Sequence, residues 1–408
     1  MRTATLIRRK YTKPIAGIIN PLPLPANIHV LKLYRSITIL FLVAFCSCGK
    51  TNRDHQETAP DVENSISHAS GLAIFDYGSY SLVTVNHPWP NSTEKFNYIL
   101  KQKDAVVPDS LKGMITINVP VKNIIVTSTT HIPSLEMLGV GHTLTGFPNL
   151  SYISSEGIRK RIDEGKIREL GSNQSLNMEV AIDLQPDVII GYGIDNSNPM
   201  LDKLEKAGLK ILVNGDWNEE SPLGKAEWIK LYGTLYGLEG KANAIFSDIE
   251  KAYNHTLELA KQTKKKPTVI AGAVYENRWY LPQGKSWGAL SIKDAGGQYL
   301  WADTDGTGSL SLPFETVLEK GKNADFWIGP GQFTSLKEML EANPHYGQFE
   351  AFKRGNVYSF STKKGKTGGI IYYELAPNRP DLVLKDVLKI LHPELLPDYE
   401  LFFFKKLK

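Results

Sequence analysis

Met178–Gly193 reads MEVAIDLQPDVIIGYG, and Phe314–Gly331 reads FETVLEKGKNADFWIGPG. Each stretch opens a helix near a glutamate, turns through an Asp, runs into a continuous apolar strand and leaves it through Gly-x-Gly. Apolar strands without alternation are those buried on both faces, and strands alternating with helices build a parallel sheet. The same device in both halves of the chain predicts two lobes of similar α/β design.

The pattern extends outward from both stretches. VKNIIVTSTTHIPSLEMLGV (121–140) has strand, polar loop and a helix ending near Gly139, and LDKLEKAGLKILVNGDW (201–217) supplies another helix and strand. AEWIKLYGTLYG (226–237) reads as a helix broken near Gly237. From Leu238 to about Thr263, Ala242, Ile245, Phe246, Ile249, Tyr253 and Leu257 form one apolar stripe at helical spacing. That single helix, roughly 40 Å long at 1.5 Å per residue, is expected to join the lobes. Lys264, Lys265 and Lys266 suit its negative end, and Pro267 stops it. PTVIAGAVY (267–275) restarts the pattern as a buried strand, followed by a helix in KSWGALSIKDAGG (285–297). Ahead of the first lobe, GLAIFDYG and YSLVTVN (71–78, 80–86) read as a hairpin, with FNYIL and MITINV (96–100, 114–119) as further strands.

The expected architecture is α/β, with a largely parallel, helix-flanked sheet in each lobe and extra strands at the start of the first. The expected divisions are 69–236 and 265–397 for the lobes, 237–264 for the joining helix and 398–408 for an aromatic tail.

Residues 1–47 read as an address. SITILFLVAF (36–45), preceded by Lys32 and Arg35, has the charge and length of a secretory signal. Ser47 before Cys48 suits lipoprotein processing better than Phe45 before Cys46, so Cys48 is the expected lipidated residue. Residues before 32, which include NPLPLPAN (20–27), suggest a start assigned too far upstream, and the polar stretch 48–68 reads as a tether. The 408 residues hold 47 Lys+Arg against 43 Asp+Glu, a net +4. Seven of the basic residues and no acidic one precede Cys48, which leaves the remainder with 40 against 43, about −3. Nucleic-acid binding loses its compositional support, and Lys264–Lys266 read as a solvated helix end.

The nine histidines form no H-x₃-H or H-E-x-x-H pattern, so no protein-held metal and no resident cofactor are expected. Gly284-Lys285-Ser286-Trp287-Gly288 fits G-x-S-x-G, and a competing reading is a secreted serine hydrolase with Ser286 as nucleophile, Asp325, and His345 or His392 as base. Pro282 and Gln283 interrupt the strand such an elbow needs. Aromatic residues carry the stronger signal. Phe147, Tyr152, Tyr192, Trp217, Tyr275, Trp279, Trp301, Tyr372 and Tyr373 fall in or beside loops after expected strands, where open α/β sheets bind ligands. His131 and Arg379 are candidates for a polar edge.

In order and spacing, NIIVTSTTHIPSLEMLGV, NMEVAIDLQPDVIIGYG, the long helix, SLSLPFETVLEKGKNADFWI, FKRGNVYSF and NRPDLVLKDVL resemble the substrate-binding proteins of ABC importers for vitamin B12, haem and iron-siderophores. The resemblance spans about residues 66–397. It implies a non-catalytic, periplasmic, membrane-anchored lipoprotein that binds a ferric siderophore, haem or cobalamin in a cleft between the lobes. It also implies delivery to an ABC permease, with one surface glutamate per lobe, Glu179 and Glu315, as the docking points.

Overall fold

The structure is a computed structural model that describes residues 62–193 and 199–408. The expected signal segment, Cys48 and most of the expected tether lie outside the described residues.

Five strands form the sheet of the first lobe, in the order Ile211–Val213, Val188–Gly191, Ile124–Val126, Leu144–Phe147 and Arg168–Glu169, every neighbouring pair parallel. Side-chain alternation splits these apolar runs between two layers. Ile124, Val126, Ile190 and Leu212 pack with Trp228, Leu231 and Phe246, while Ile125, Ile189 and Ile211 pack with Ala181, Leu201 and Leu204 on the other face. A sheet covered on both faces is what removed hydrophobic alternation from the sequence.

The second sheet runs Gln298–Tyr299, Thr268–Ala271, Phe326–Ile328, Val357–Ser359 and Lys405–Lys406; its last pair is antiparallel and the rest parallel. The expected single strand in PTVIAGAVY is two. It breaks at Gly272, which holds φ +77°, and a Cβ there would lie 1.8 Å from the Tyr280 carbonyl oxygen. Past this glycine, Ala273–Tyr275 leaves the parallel sheet and joins Arg278–Pro282 and Ser309–Leu312 in a small antiparallel sheet.

The long helix is Glu239–Ala260, 22 residues or about 33 Å, ending before the three lysines. Its first half gives Ala242, Phe246 and Ile249 to the core of the first lobe. Tyr253 and Ala260 belong to the core of the second. One rigid rod thus takes part in both cores. AEWIKLYGTLYG closes as Ile229–Tyr236, with Gly237 at φ +63° as its left-handed cap.

The extra strands Leu72–Asp76, Tyr80–Asn86, Lys95–Gln102 and Ile115–Val119 form a separate four-stranded sheet. Ile74, Val83, Val85, Tyr98 and Ile117 pack into the core of the first lobe. The tail packs onto the second lobe: Phe403, Phe404 and Leu407 are buried in its core, while Phe402 is partly exposed.

Candidate functional site

In the second sheet the chain order reverses between Thr268–Ala271 and Phe326–Ile328, because the connection from the first strand goes outward to Gln298–Tyr299 before returning. Loops leaving adjacent strands in opposite directions open a crevice at their carboxyl ends. A cavity of about 800 Å³ lies there, bordered by Ala271 and Gly272 at the end of the first strand, Ile328 and Gly329 at the end of the second, and Phe360 after Val357–Ser359. Gly329 permits this approach: at φ +65°, a Cβ on it would meet the Phe360 ring at 2.9 Å.

Aromatic side chains dominate the walls. Phe360 and Tyr372 stack at 4.2 Å between centroids and 10° between planes, and Trp287 stacks on Tyr372 at 5.6 Å and 20°. Tyr275 and Tyr280, 65% and 41% exposed, meet edge to face at the mouth, and Tyr373 is half exposed beside them on the same cavity. Among the described residues that line it, none is Asp, Glu, Lys, Arg or His; polar character comes from hydroxyls and from Gln332. Burial raises the Tyr372 and Tyr373 phenols above their ordinary value, so both stay neutral. Such a space suits a flat, partly apolar molecule and offers no charge to a small ion.

Of the residues singled out from sequence, Tyr275, Tyr372 and Tyr373 come together on this cavity. Trp279 does not: it is fully buried, stacks on Trp327 at 5.1 Å and donates its N–H to the Ala271 carbonyl. Trp301 is buried under the Lys320 ammonium, and Phe147 is buried in the core of the first lobe. Tyr192 and Trp217 stand together at the carboxyl edge of the first sheet, where the Trp217 indole donates to Gly193 and Asn173 donates to the Tyr192 hydroxyl. Arg379 is engaged by Asp381 through two bonds of 2.9 and 2.8 Å. His131 is buried without a hydrogen-bond partner on either ring nitrogen, and burial pushes it down to about 3, so it is neutral. The wall residues Trp287, Phe333, Phe360 and Phe404 escaped the sequence reading. Phe360 follows its strand as the chosen aromatics follow theirs, and Trp287 lay inside the motif read for its serine.

The cavity walls come from residues 271–404, whereas the expected cleft drew on both lobes. The first lobe meets this region through helix Ile371–Leu375, which carries Tyr372 and Tyr373. The next residue, Glu374, accepts the backbone N–H groups of Ser154 and Ser155 across the seam. Asn378 adds bonds to Ser134 and Thr130.

A hydrolase site is not assembled. The Ser286 hydroxyl donates to the Gln283 carbonyl and accepts from the Ala289 N–H, capping helix Trp287–Asp294. Asp325 accepts from Thr268 at the opposite, amino end of the strands, and His345 bonds to Gln348. His392 lies with Asp325 on a different cavity at that far end.

Two α/β lobes on one long helix, with a neutral aromatic cavity at a switch point, define a solute-binding receptor. The chain belongs to the periplasmic binding protein family, whose profile matches residues 124–362, and it is of the non-catalytic, ABC-transporter type. It is 31% identical over 323 residues to an uncharacterized lipoprotein of Methanocaldococcus jannaschii, covering 76% of this chain and 75% of that one. Two solved structures share the fold. A periplasmic heme binding protein from Pseudomonas aeruginosa aligns at TM-score 0.51 and 16% identity, covering 71% of this chain and 98% of the other. Helicobacter pylori CeuE with Ni(II) bound aligns at TM-score 0.53 and 17% identity, covering 70% and 88%. Among the described residues no helix is long and apolar enough to cross a membrane.

Proposed function

We propose that this protein captures a haem, a cobalamin or a ferric siderophore with a broad uncharged face, and delivers it to an ABC permease. The observation that carries the reading is the stack of Trp287, Tyr372 and Phe360 on a cavity of about 800 Å³ whose described walls hold no ionisable acid or base other than tyrosine. Rings of this kind bind flat π-systems through offset and edge contacts. A bare metal ion would need His or carboxylate donors that these walls do not carry, and no group of three or more His, Cys, Asp or Glu able to hold a metal occurs among the described residues. The fold shared with a periplasmic heme binding protein supports a metal-chelate receptor.

Glu179 and Glu315 are the docking points in this reading. Both are exposed, and both stand in the first turn of a helix that runs into a sheet strand from its amino end. Such helices run antiparallel to the strands they precede, so each glutamate lies toward the carboxyl edge of its own sheet. Cys48 carries the lipid that keeps the receptor at the membrane, on the periplasmic side, with residues 69–236 as one lobe and 265–397, joined by the tail, as the other.

The reading is tested by thermal unfolding of the purified protein with haemin, cyanocobalamin and a panel of ferric siderophores. A ligand present at 100 times its Kd stabilises by about 2.7 kcal/mol. Unchanged melting with every compound would overturn the ligand class.

A further inference from the structure

The end of the chain closes one side of the cavity. Lys405–Lys406 pairs antiparallel with Val357–Ser359, the strand that delivers Phe360. Phe404, just before the pairing, lines the cavity and is buried. It stands edge-on to two members of the aromatic stack, 5.7 Å and 77° from Phe360, 5.6 Å and 70° from Tyr372. The innermost rings therefore meet a wall supplied by the tail.

One carboxylate holds that wall. Asp386, with no exposed surface, accepts the backbone N–H of Phe402 at 2.8 Å, Phe403 at 2.6 Å and Phe404 at 3.1 Å, and the Tyr399 hydroxyl at 2.7 Å. Oδ1 takes Tyr399 and Phe402, and Oδ2 takes Phe403 and Phe404. Asp386 sits on helix Pro380–Leu391, whose Val383 and Val387 line the same cavity. Val383, three positions before Asp386, is its neighbour on the helix surface, and Val387 follows Val383 by four, so one element supplies both wall and clamp. Without this carboxylate these four donors would lack a partner where the tail packs, so Asp386 fixes the backbone that carries Phe404.

We propose that the C-terminal tail is part of the ligand site: Phe404 sets the depth of the cavity and so which ring systems it admits, and Asp386 is a positioning residue that acts through Phe404. This rests on the reading of the cavity as a ligand site.

The test compares indole and haemin as probes of the intact body. Binding is read by equilibrium dialysis and by thermal shift, for the natural chain and for Phe404→Ala, Phe404→Leu, Asp386→Asn and Phe402→Ala. Phe404→Ala leaves an apolar hole of phenyl size, the kind of space that takes up a small aromatic molecule. The affinity for indole relative to haemin should rise at least tenfold. Phe404→Leu should move the same ratio less, and serves if the alanine variant does not fold. Asp386→Asn keeps the shape but turns one oxygen into a donor facing donors. It should shift the ratio in the same direction, with no further shift when combined with Phe404→Ala. A merely structural aspartate would lower the melting temperature and leave the ratio alone. Phe402→Ala, at a partly exposed ring away from the cavity, should change neither. An unchanged ratio in both Phe404 variants overturns the tail's role even where haemin still binds. A rise in indole affinity in both Phe404 variants of a chain indifferent to haemin, cyanocobalamin and siderophores upholds the tail's role and sinks the ligand class instead.

Discussion

The Glu374 carboxylate accepts the backbone N–H of Ser154 at 2.7 Å, between residues 220 positions apart in the chain and on opposite sides of the seam between the lobes. Its neighbours Tyr372 and Tyr373 wall the cavity, so one short helix touches both the candidate ligand and the other lobe.

That carboxylate makes the seam sensitive to pH. Burial pushes it up to about 7, against the pull of the Ser154 and Ser155 N–H groups and with nearby Glu136 adding to the rise. The Ser155 hydroxyl donates to Glu136, and Lys366 pairs with Asp163 on the same seam. A folded-state value above the ordinary 4.5 means the folded chain holds the extra proton between the two. The contribution of Glu374 to stability is therefore full below about pH 4.5, falls as pH rises through about 7, and is flat beyond. In urea unfolding, the natural chain minus Glu374→Gln should lose up to about 3 kcal/mol across that window. A difference independent of pH would refute the assignment.

Two buried glutamates strap the start of the body down. Glu227 accepts from the backbone N–H groups of Ser67, His68 and Ala69, the Ser67 hydroxyl and the Lys230 ammonium. Glu219 holds Ser70 and Gly71. Burial alone would raise Glu227, yet Lys230 and the three N–H groups outweigh it and hold it below the ordinary value. Glu227→Ala leaves these donors unsatisfied and should cost roughly 3 kcal/mol. Limited proteolysis near residues 62–71 should become fast in the variant; equal cleavage rates would dismiss the strap.

Gly272 is the hinge at which the strand changes sheets, and a side chain there collides with the Tyr280 carbonyl. Gly272→Ala is expected to destabilise by about 2 kcal/mol or more and to displace Tyr275 and Tyr280 from the cavity mouth. The check is paired melting and haemin titration; an alanine variant that matches the natural chain in both would show that the two sheets can separate to accommodate it.

Ser286→Ala separates receptor from hydrolase. It removes a helix cap worth about 1 kcal/mol and one hydroxyl of the cavity wall that is already bonded to the Gln283 carbonyl, so a slightly lower melting temperature with ligand binding nearly intact is expected. Loss of an esterase activity otherwise present would contradict the receptor reading.

Changing Glu179 and Glu315 together to alanine should leave folding and ligand affinity unchanged and abolish uptake through the permease. Each is exposed, so neither substitution touches a core. Undiminished uptake would remove both from the docking role.

The arginine-free, acid-free character of the cavity was hard to foresee because sequence neighbours on a strand point to opposite faces. Trp279 and Tyr280 are adjacent; the first is fully buried beneath the antiparallel sheet and the second opens on the cavity. Nothing local says which face is which, so the sequence does not separate Trp279 from Tyr280. Phe404 illustrates a longer gap. Its place beside Phe360 follows from an antiparallel pairing with a strand more than forty residues earlier and from a carboxylate on an intervening helix.

What the sequence determined by itself was the repeated unit: glutamate, helix, Asp, unbroken apolar strand and Gly-x-Gly, twice, with a striped helix between. Those features are local, because helix period, two-sided burial of a strand and a glycine exit each leave their mark within a few residues. Only the tertiary structure decided where the cavity lies and which rings face it. Sheet order creates the switch point, Gly272 turns the chain out of one sheet into another, and the tail returns to close the wall. Each of these depends on which distant strands become neighbours, and no short stretch of sequence carries that information.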